Sequence, residues 1–347
     1  MIKNARRRSL PGRRRLLLVL CLGLLGGQWI AAQPQAEAAP NPAGRATVSA
    51  AVTGNEPLAS LALKPLPASA ALQAFAQESI AKLARNAPFT GWKNAEAEYF
   101  PLGPGTHSWL VNVQKDGLRV GYLIITAVQQ GGYSLSEYGA GTTGLPYSLT
   151  ELRRVLAQEA LIPSGYSGKL ELTALYAPLL PVWKLTLGQE TLYLSAAVPG
   201  LLPWDDSKVQ TFFNGQAAAD RTQAGPDASF MPQPAYQGGG EDDPYADLRW
   251  LSAPGLGKLK AASLSLLLAQ GNALAFQSAG RNDTLGAPFM VTGYQCWNPR
   301  TASGGAPLMY AASGPGGRRF LPLSLLEERG TLHALTAVKG NVASVTK

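Results

Sequence analysis

Ser108-Trp109-Leu110-Val111-Asn112-Val113-Gln114, then Asp116-Gly117, then Leu118-Arg119-Val120-Gly121-Tyr122-Leu123-Ile124-Ile125 is the stretch on which the fold turns. Two runs rich in aromatic and β-branched residues flank an Asp-Gly pair. Those two residues accept the positive φ of a type I′ turn, so the stretch reads as a β-hairpin. Leu118–Val128 is apolar at both parities, which predicts a central strand covered on both faces. Glu96–Leu102 before it and Tyr133–Tyr138 after it read as further strands.

Helical spacing brackets this sheet. Ser69 is placed as an N-cap, and Leu72, Phe75, Ala76, Ile80 and Leu83 recur on one helix face through about Arg85. Ser148-Leu149-Thr150-Glu151 is a capping box that opens a second helix with Leu149, Leu152, Val155 and Leu156 inward. Lys169–Tyr176, Val182–Leu187 and Thr191–Val198 follow as strands, with Gly188-Gln189 turning the last pair. Residues 69–200 therefore read as one α+β module. Residues 201–246 hold Gly238-Gly239-Gly240, Glu241-Asp242-Asp243 and several prolines, a linker composition. The acids lack the Asp-x-Asp-x-Asp-Gly order of a calcium loop, so a solvated charge run is expected. Residues 247–340 form a second module. Ala261–Leu268 is its helix, closed by Gly271. Phe289–Tyr294 and Leu308–Ala312 are its strands, and Arg319-Phe320-Leu321-Pro322-Leu323 leads into a short helix through Leu326. The expected fold class is α+β, with two domains, each mainly antiparallel sheet with packed helices, and a tail at 341–347.

The first 38 residues carry a different message. Arg6, Arg7, Arg8, Arg13, Arg14 and Arg15 precede the apolar run Leu16–Leu25, and the segment ends in Ala36-Glu37-Ala38. A basic head, a short apolar middle and a small-residue exit make a secretory signal peptide, with cleavage expected between Ala38 and Ala39. The apolar run falls short of the roughly 20 residues of a membrane span. An uncleaved leader acting as an anchor is the alternative. Leu20 before Cys21 argues against a lipoprotein acceptor. Residues 39–68, rich in Ala and Pro, read as a flexible segment. The expected location is secreted or cell-envelope, with membrane contact only through the leader during export.

Removing the leader changes the totals. Seven of the 30 Lys/Arg and one of the 22 Asp/Glu precede Ala39, so the remainder carries 23 against 21, a net +2 of the total +8. The basic balance belongs largely to the leader, and no nucleic-acid partner is expected. Cys296 is then the one cysteine left, which rules out an intramolecular disulfide.

Gly121-Tyr122-Leu123-Ile124-Ile125 and Pro181-Val182-Trp183-Lys184-Leu185, in a helix–hairpin–strand order, resemble the inhibitory pro-domains of streptopain-like cysteine peptidases and the PepSY-type modules of exported bacterial proteins. Pro288-Phe289-Met290-Val291-Thr292-Gly293-Tyr294, Ser313-Gly314-Pro315, Gly317-Arg318-Arg319 and Pro322-Leu323 resemble the second half of bacteriocin-processing, papain-like peptidases. That resemblance implies a nucleophile at Leu256, a base at Pro288 and an orienting acid at Ser313 or Gly314. None of these side chains can do that chemistry, since attack needs a thiolate and a base beside it. The resemblance thus implies a pseudopeptidase whose old cleft binds an extended peptide or exported protein. Trp250, Tyr294 and Trp297 are the candidate lining residues, and strand addition at a sheet edge is the expected mode.

Two alternatives stand beside this reading. Cys296 and His333 are the candidate nucleophile and base of a rearranged cysteine hydrolase. A cell-envelope structural protein without ligand is the other. No metal site and no cofactor are expected: two separated histidines and one cysteine make no zinc set, and His-Glu-x-x-His, Gly-x-Gly-x-x-Gly, phosphate-loop and Gly-x-Ser-x-Gly motifs are absent. Asp205-Asp206 after Trp204 is a candidate carbohydrate pair, but Pro203 and Gly200 favour a turn.

Overall fold

The computed structural model describes residues 56–335, apart from 106, 130, 164–165, 211–212, 214–224, 227–228, 239, 241, 259–260, 280–287 and 302–304. The leader with its Ala38–Ala39 cleavage site, the Glu241 end of the acidic cluster and the 341–347 tail lie outside the described residues. No helix among the described residues is long and apolar enough to cross a membrane.

The hairpin forms where the sequence places it. β1 (Glu96–Leu102), β2 (Ser108–Lys115), β3 (Leu118–Ala127) and β4 (Tyr133–Ala140) make an antiparallel meander. Asp116 and Gly117 both take positive φ, 51° and 76°, as a type I′ turn requires. β5 (Leu170–Ala177), β6 (Leu180–Leu187), β7 (Glu190–Ser195) and β8 (Gly200–Leu201) form a second, four-stranded sheet. The C-terminal strands are β9 (Phe230–Pro232), β10 (Tyr236–Gln237), β11 (Gly255–Leu256), β12 (Ala273–Ser278), β13 (Phe289–Pro299), β14 (Leu308–Ser313), β15 (Arg319–Pro322) and β16 (Gly330–Leu335). The helices are α1 (Glu56–Ala59), α2 (Ala70–Leu83), α3 (Leu149–Gln158), α4 (Ala261–Ala269) and α5 (Leu323–Arg329). The chain is α+β, dominated by antiparallel sheet.

The modules expected at 69–200 and 247–340 share one 12-stranded sheet, ordered β1-β2-β3-β4-β15-β14-β13-β12-β16-β11. Its middle is a single pairing, Tyr138 of β4 with Phe320 of β15. Their rings stack with centroids 5.1 Å apart and planes 2° from parallel. The segment read as a linker also joins the sheet. β12 pairs with only the first residues of β13, and β10 and β9 continue along β13 beyond it. Gly293 permits this, since a Cβ there would stand 2.2 Å from the Tyr236 carbonyl oxygen.

Both faces of the large sheet are covered. α2, capped by Ser69 Oγ accepting from Leu72 N, lays Leu72, Ala76, Ile80 and Leu83 over Val111, Val113, Leu123 and Ile125. The same layer continues through Tyr138, Phe320, Tyr310 and Trp297, so one core crosses the seam. On the opposite face, α3 and the second sheet bury Leu110, Tyr122 and Ile124 against Leu152, Trp183 and Leu185. Further along that face, α4 and α5 cover Val291, Met309 and Leu321. Trp92 presses so closely on β3 that a Cβ at Gly121 would lie 2.2 Å from its ring.

A buried ion pair ties these layers together. Glu137, on β4, is fully buried and Arg319, on β15, is 7 % exposed. Arg319 Nε and Nη2 donate to the two carboxylate oxygens at 2.7 and 3.0 Å, and Tyr122 Oη donates to Oε1 at 2.6 Å. Arg319 Nη2 also donates to the Leu179 carbonyl at 2.8 Å, in the β5–β6 turn of the second sheet. Removing one partner leaves a buried charge uncompensated. Glu137→Ala should therefore lower the unfolding free energy by about 3–5 kcal/mol in urea melts, and a Glu137→Leu, Arg319→Met double variant should recover much of that loss. Gly121→Ala should cost about 1–3 kcal/mol in the same assay, because Trp92 has to shift.

Candidate functional site

Cys296 and His333 do not meet. His333 on β16 pairs with Ala275 of β12, which pairs with Met290 of β13. Cys296 lies six positions further along β13, so two strand spacings and about 20 Å of strand separate the residues. Each is held by its own surroundings. Cys296 is half-buried beside the apolar layer under α4, and burial pushes its thiol pKa up. His333 Nδ1 lies 2.9 Å from the Ala253 carbonyl oxygen, so that nitrogen carries the ring proton. Its Nε2 is buried with no hydrogen-bond partner among the described residues, beneath Trp250 at 6.1 Å between ring centres.

The positions implied by the peptidase resemblance are spread in the same way. Leu256 pairs with Leu332, Leu332 with Phe276, and Phe276 with Phe289, the neighbour of Pro288. That row spans three strand spacings, about 14 Å, far beyond nucleophile–base reach. Ser313 ends β14, buried and paired with Val291 and Arg319.

Two of the three candidate lining residues belong to the core. Trp250 and Trp297 are each 1 % exposed. Trp250 Nε1 donates to the Pro244 carbonyl at 2.7 Å, and Trp297 Nε1 donates to Tyr138 Oη at 3.0 Å. A fully buried indole with its N–H satisfied internally has nothing to offer a ligand. Tyr294 is half-buried, stacked on Tyr236 at 5.2 Å, on the other face of β13 from Trp297. Asp205 and Asp206 serve a turn: Asp205 Oδ1 accepts from Lys208 N at 2.7 Å, while Asp206 accepts from Tyr193 Oη and faces Lys184 at 3.5 Å.

A concave site lies elsewhere, where α2 passes the start of β1. The groove has a volume of about 570 Å³. Ile80 and Ala81 of α2 and its C-cap Ala84 form one wall, with Ala95 and Ala97 opposite. The small side chains on both walls leave the space between helix and strand unfilled. The outer edge of β1 borders the groove. The Tyr99 carbonyl points outward and accepts from Leu66 N at 3.2 Å. Strand alternation turns the N–H and C=O of Ala97 to the same side, where nothing among the described residues pairs with them. Further along that edge Pro101 has no N–H, and Gly103 is taken by Ala174 and Tyr176 of β5. The open edge is thus confined to the part beside the groove.

Sequence reading missed this site because its facing walls are built largely from alanines, which carry no chemical signature. The available signal was the pair Ala81 and Ala84, small residues beside the large Ile80 and Leu83 of the buried face. The placement of Cys296 generates a direct expectation. Iodoacetamide should label it slowly at neutral pH, and His333→Ala should leave that rate unchanged. Rapid labelling that falls with His333→Ala would contradict the separation of the two residues. Comparisons with protein-family models, with curated proteins and with solved structures found no match.

Proposed function

We propose that the protein is an exported, non-catalytic binder of extended peptides, and that the ligand lies in the groove between α2 and β1. The observation that carries this reading is the coincidence of an apolar groove with the open backbone edge at Ala97. A peptide strand laid along that edge gains main-chain hydrogen bonds, and its alternate side chains enter the groove. The small walls admit aliphatic side chains, with Gln77, Lys93 and Glu96 offering polar contacts at the margins. The leader read at residues 1–38 supports export. The proposal keeps the ligand class that the peptidase resemblance implies and moves the site away from Leu256 and Pro288.

Panning a phage-displayed peptide library on the protein tests it. Selected peptides, resynthesised with a fluorescein label, should bind the parent chain in fluorescence polarisation. Ala97→Pro removes the outward N–H, and Ala81→Trp, at an exposed helix position, fills the groove. Each should weaken binding about tenfold or more, the equivalent of one or two lost hydrogen bonds or a blocked pocket. Selected peptides whose affinity neither substitution alters would sink the proposal.

A further inference from the structure

The β4–β15 ladder consists of one pairing, Tyr138 with Phe320, and the Glu137–Arg319 ion pair lies beside it. The wedge between the two strands holds a second cavity, of about 180 Å³, which shares no lining residue with the α2–β1 groove. An apolar cavity of about 150 Å³ accommodates benzene, so this one has room for a six-membered ring. Its walls differ from those of an apolar void. Thr126, Ser134 and Ser136 present hydroxyls from β3 and β4 on one side. Pro178, Met309 and Leu325 supply apolar surface on the other.

The hydroxyls are arranged. Ser136 Oγ donates to Thr126 Oγ1 at 2.8 Å, and Ser108 Oγ lies 3.0 Å from the same oxygen. This chain orients Ser136 so that its oxygen lone pairs remain available to a donor. Ser134, 6 % exposed, lies next along β4 on the same side. Gly225 packs closely on the Ser134 end of this wall: a Cβ there would stand 2.3 Å from Ser134 Oγ and 3.0 Å from Leu135 N. The glycine is not in the left-handed region, so close approach and not backbone conformation calls for it. Among the described residues, no Lys, Arg or His lines the cavity, and Glu327 is the one charged residue there. That lining disfavours anions.

We infer that this wedge is a binding site for a neutral, hydroxyl-bearing six-membered ring, that is, a monosaccharide unit. The ring's hydroxyls exchange hydrogen bonds with Ser134 and Ser136, and its C–H face packs on Met309, Leu325 and Pro178.

Calorimetric titration of the whole chain with D-glucose and N-acetyl-D-glucosamine tests the assignment, with benzylamine and benzoate as cationic and anionic ring controls. At least one sugar should bind with a dissociation constant of about 1 mM or tighter, and neither control should match it. The Ser134→Ala, Ser136→Ala double variant should bind that sugar about tenfold more weakly. Ser324→Trp, at the exposed rim of the cavity, should abolish binding without disturbing the core, and serves where the double variant fails to fold. Absence of saturable sugar binding, tighter binding of benzylamine or benzoate, or sugar binding unchanged by Ser324→Trp would overturn the inference.

Discussion

Glu137 and Arg319 lie 182 residues apart and meet where water does not reach the carboxylate. Burial alone would lower the pKa of Arg319, but the facing Glu137 carboxylate more than offsets this and the net shift is upward. The same carboxylate accepts from Tyr122, and the same guanidinium holds the Leu179 carbonyl of the second sheet. Three strands of the large sheet and the turn of the second sheet therefore depend on one charge pair. Neither charge can be left without the other, which makes the approach of β15 to β4 specific even though only one residue pair is formed there. Tyr138 repeats the pattern on the opposite face: it stacks on Phe320, donates to Gln295 and accepts from Trp297.

This junction also accounts for the wedge beneath it. A fully zipped β4–β15 ladder would leave no cavity beside Ser134 and Ser136. The prolines help to stop it. Pro322 ends β15 without an N–H to donate, and the chain turns directly into α5. Tyr310 reaches across the gap, its hydroxyl donating to the Leu135 carbonyl, so the edge of β4 is satisfied by a side chain where a strand is missing.

Elements specified by neighbouring residues were legible before the structure. Asp116-Gly117 and the Ser69 and Ser148 N-caps act within a few residues and appear as expected; Ser148 Oγ accepts from Glu151 N at 3.3 Å, while the Glu151 carboxylate accepts from Arg154. Strands that exist only through distant partners were not legible. β9 and β10 lie in a Pro- and Gly-rich segment and pair because β13 outruns β12. Of the candidate site, little could be read. Conspicuous residues drew attention, yet Trp250 and Trp297 are conspicuous because large indoles fill a core. The groove is made by the smallness of Ala81, Ala84 and Ala97, and the cavity by two strands whose ladder is one pairing long. Empty space is not written in any one residue's chemistry.

The sequence by itself determined the α+β class, the hairpin at Asp116-Gly117, the helix caps and the apolar faces, because these rest on local backbone preference and side-chain periodicity. Tertiary structure alone decided that the two halves share a sheet, that Cys296 and His333 are kept apart, and where concave surface remains. Those outcomes depend on strand order, and strand order follows from which buried charges and rings must meet across long stretches of chain.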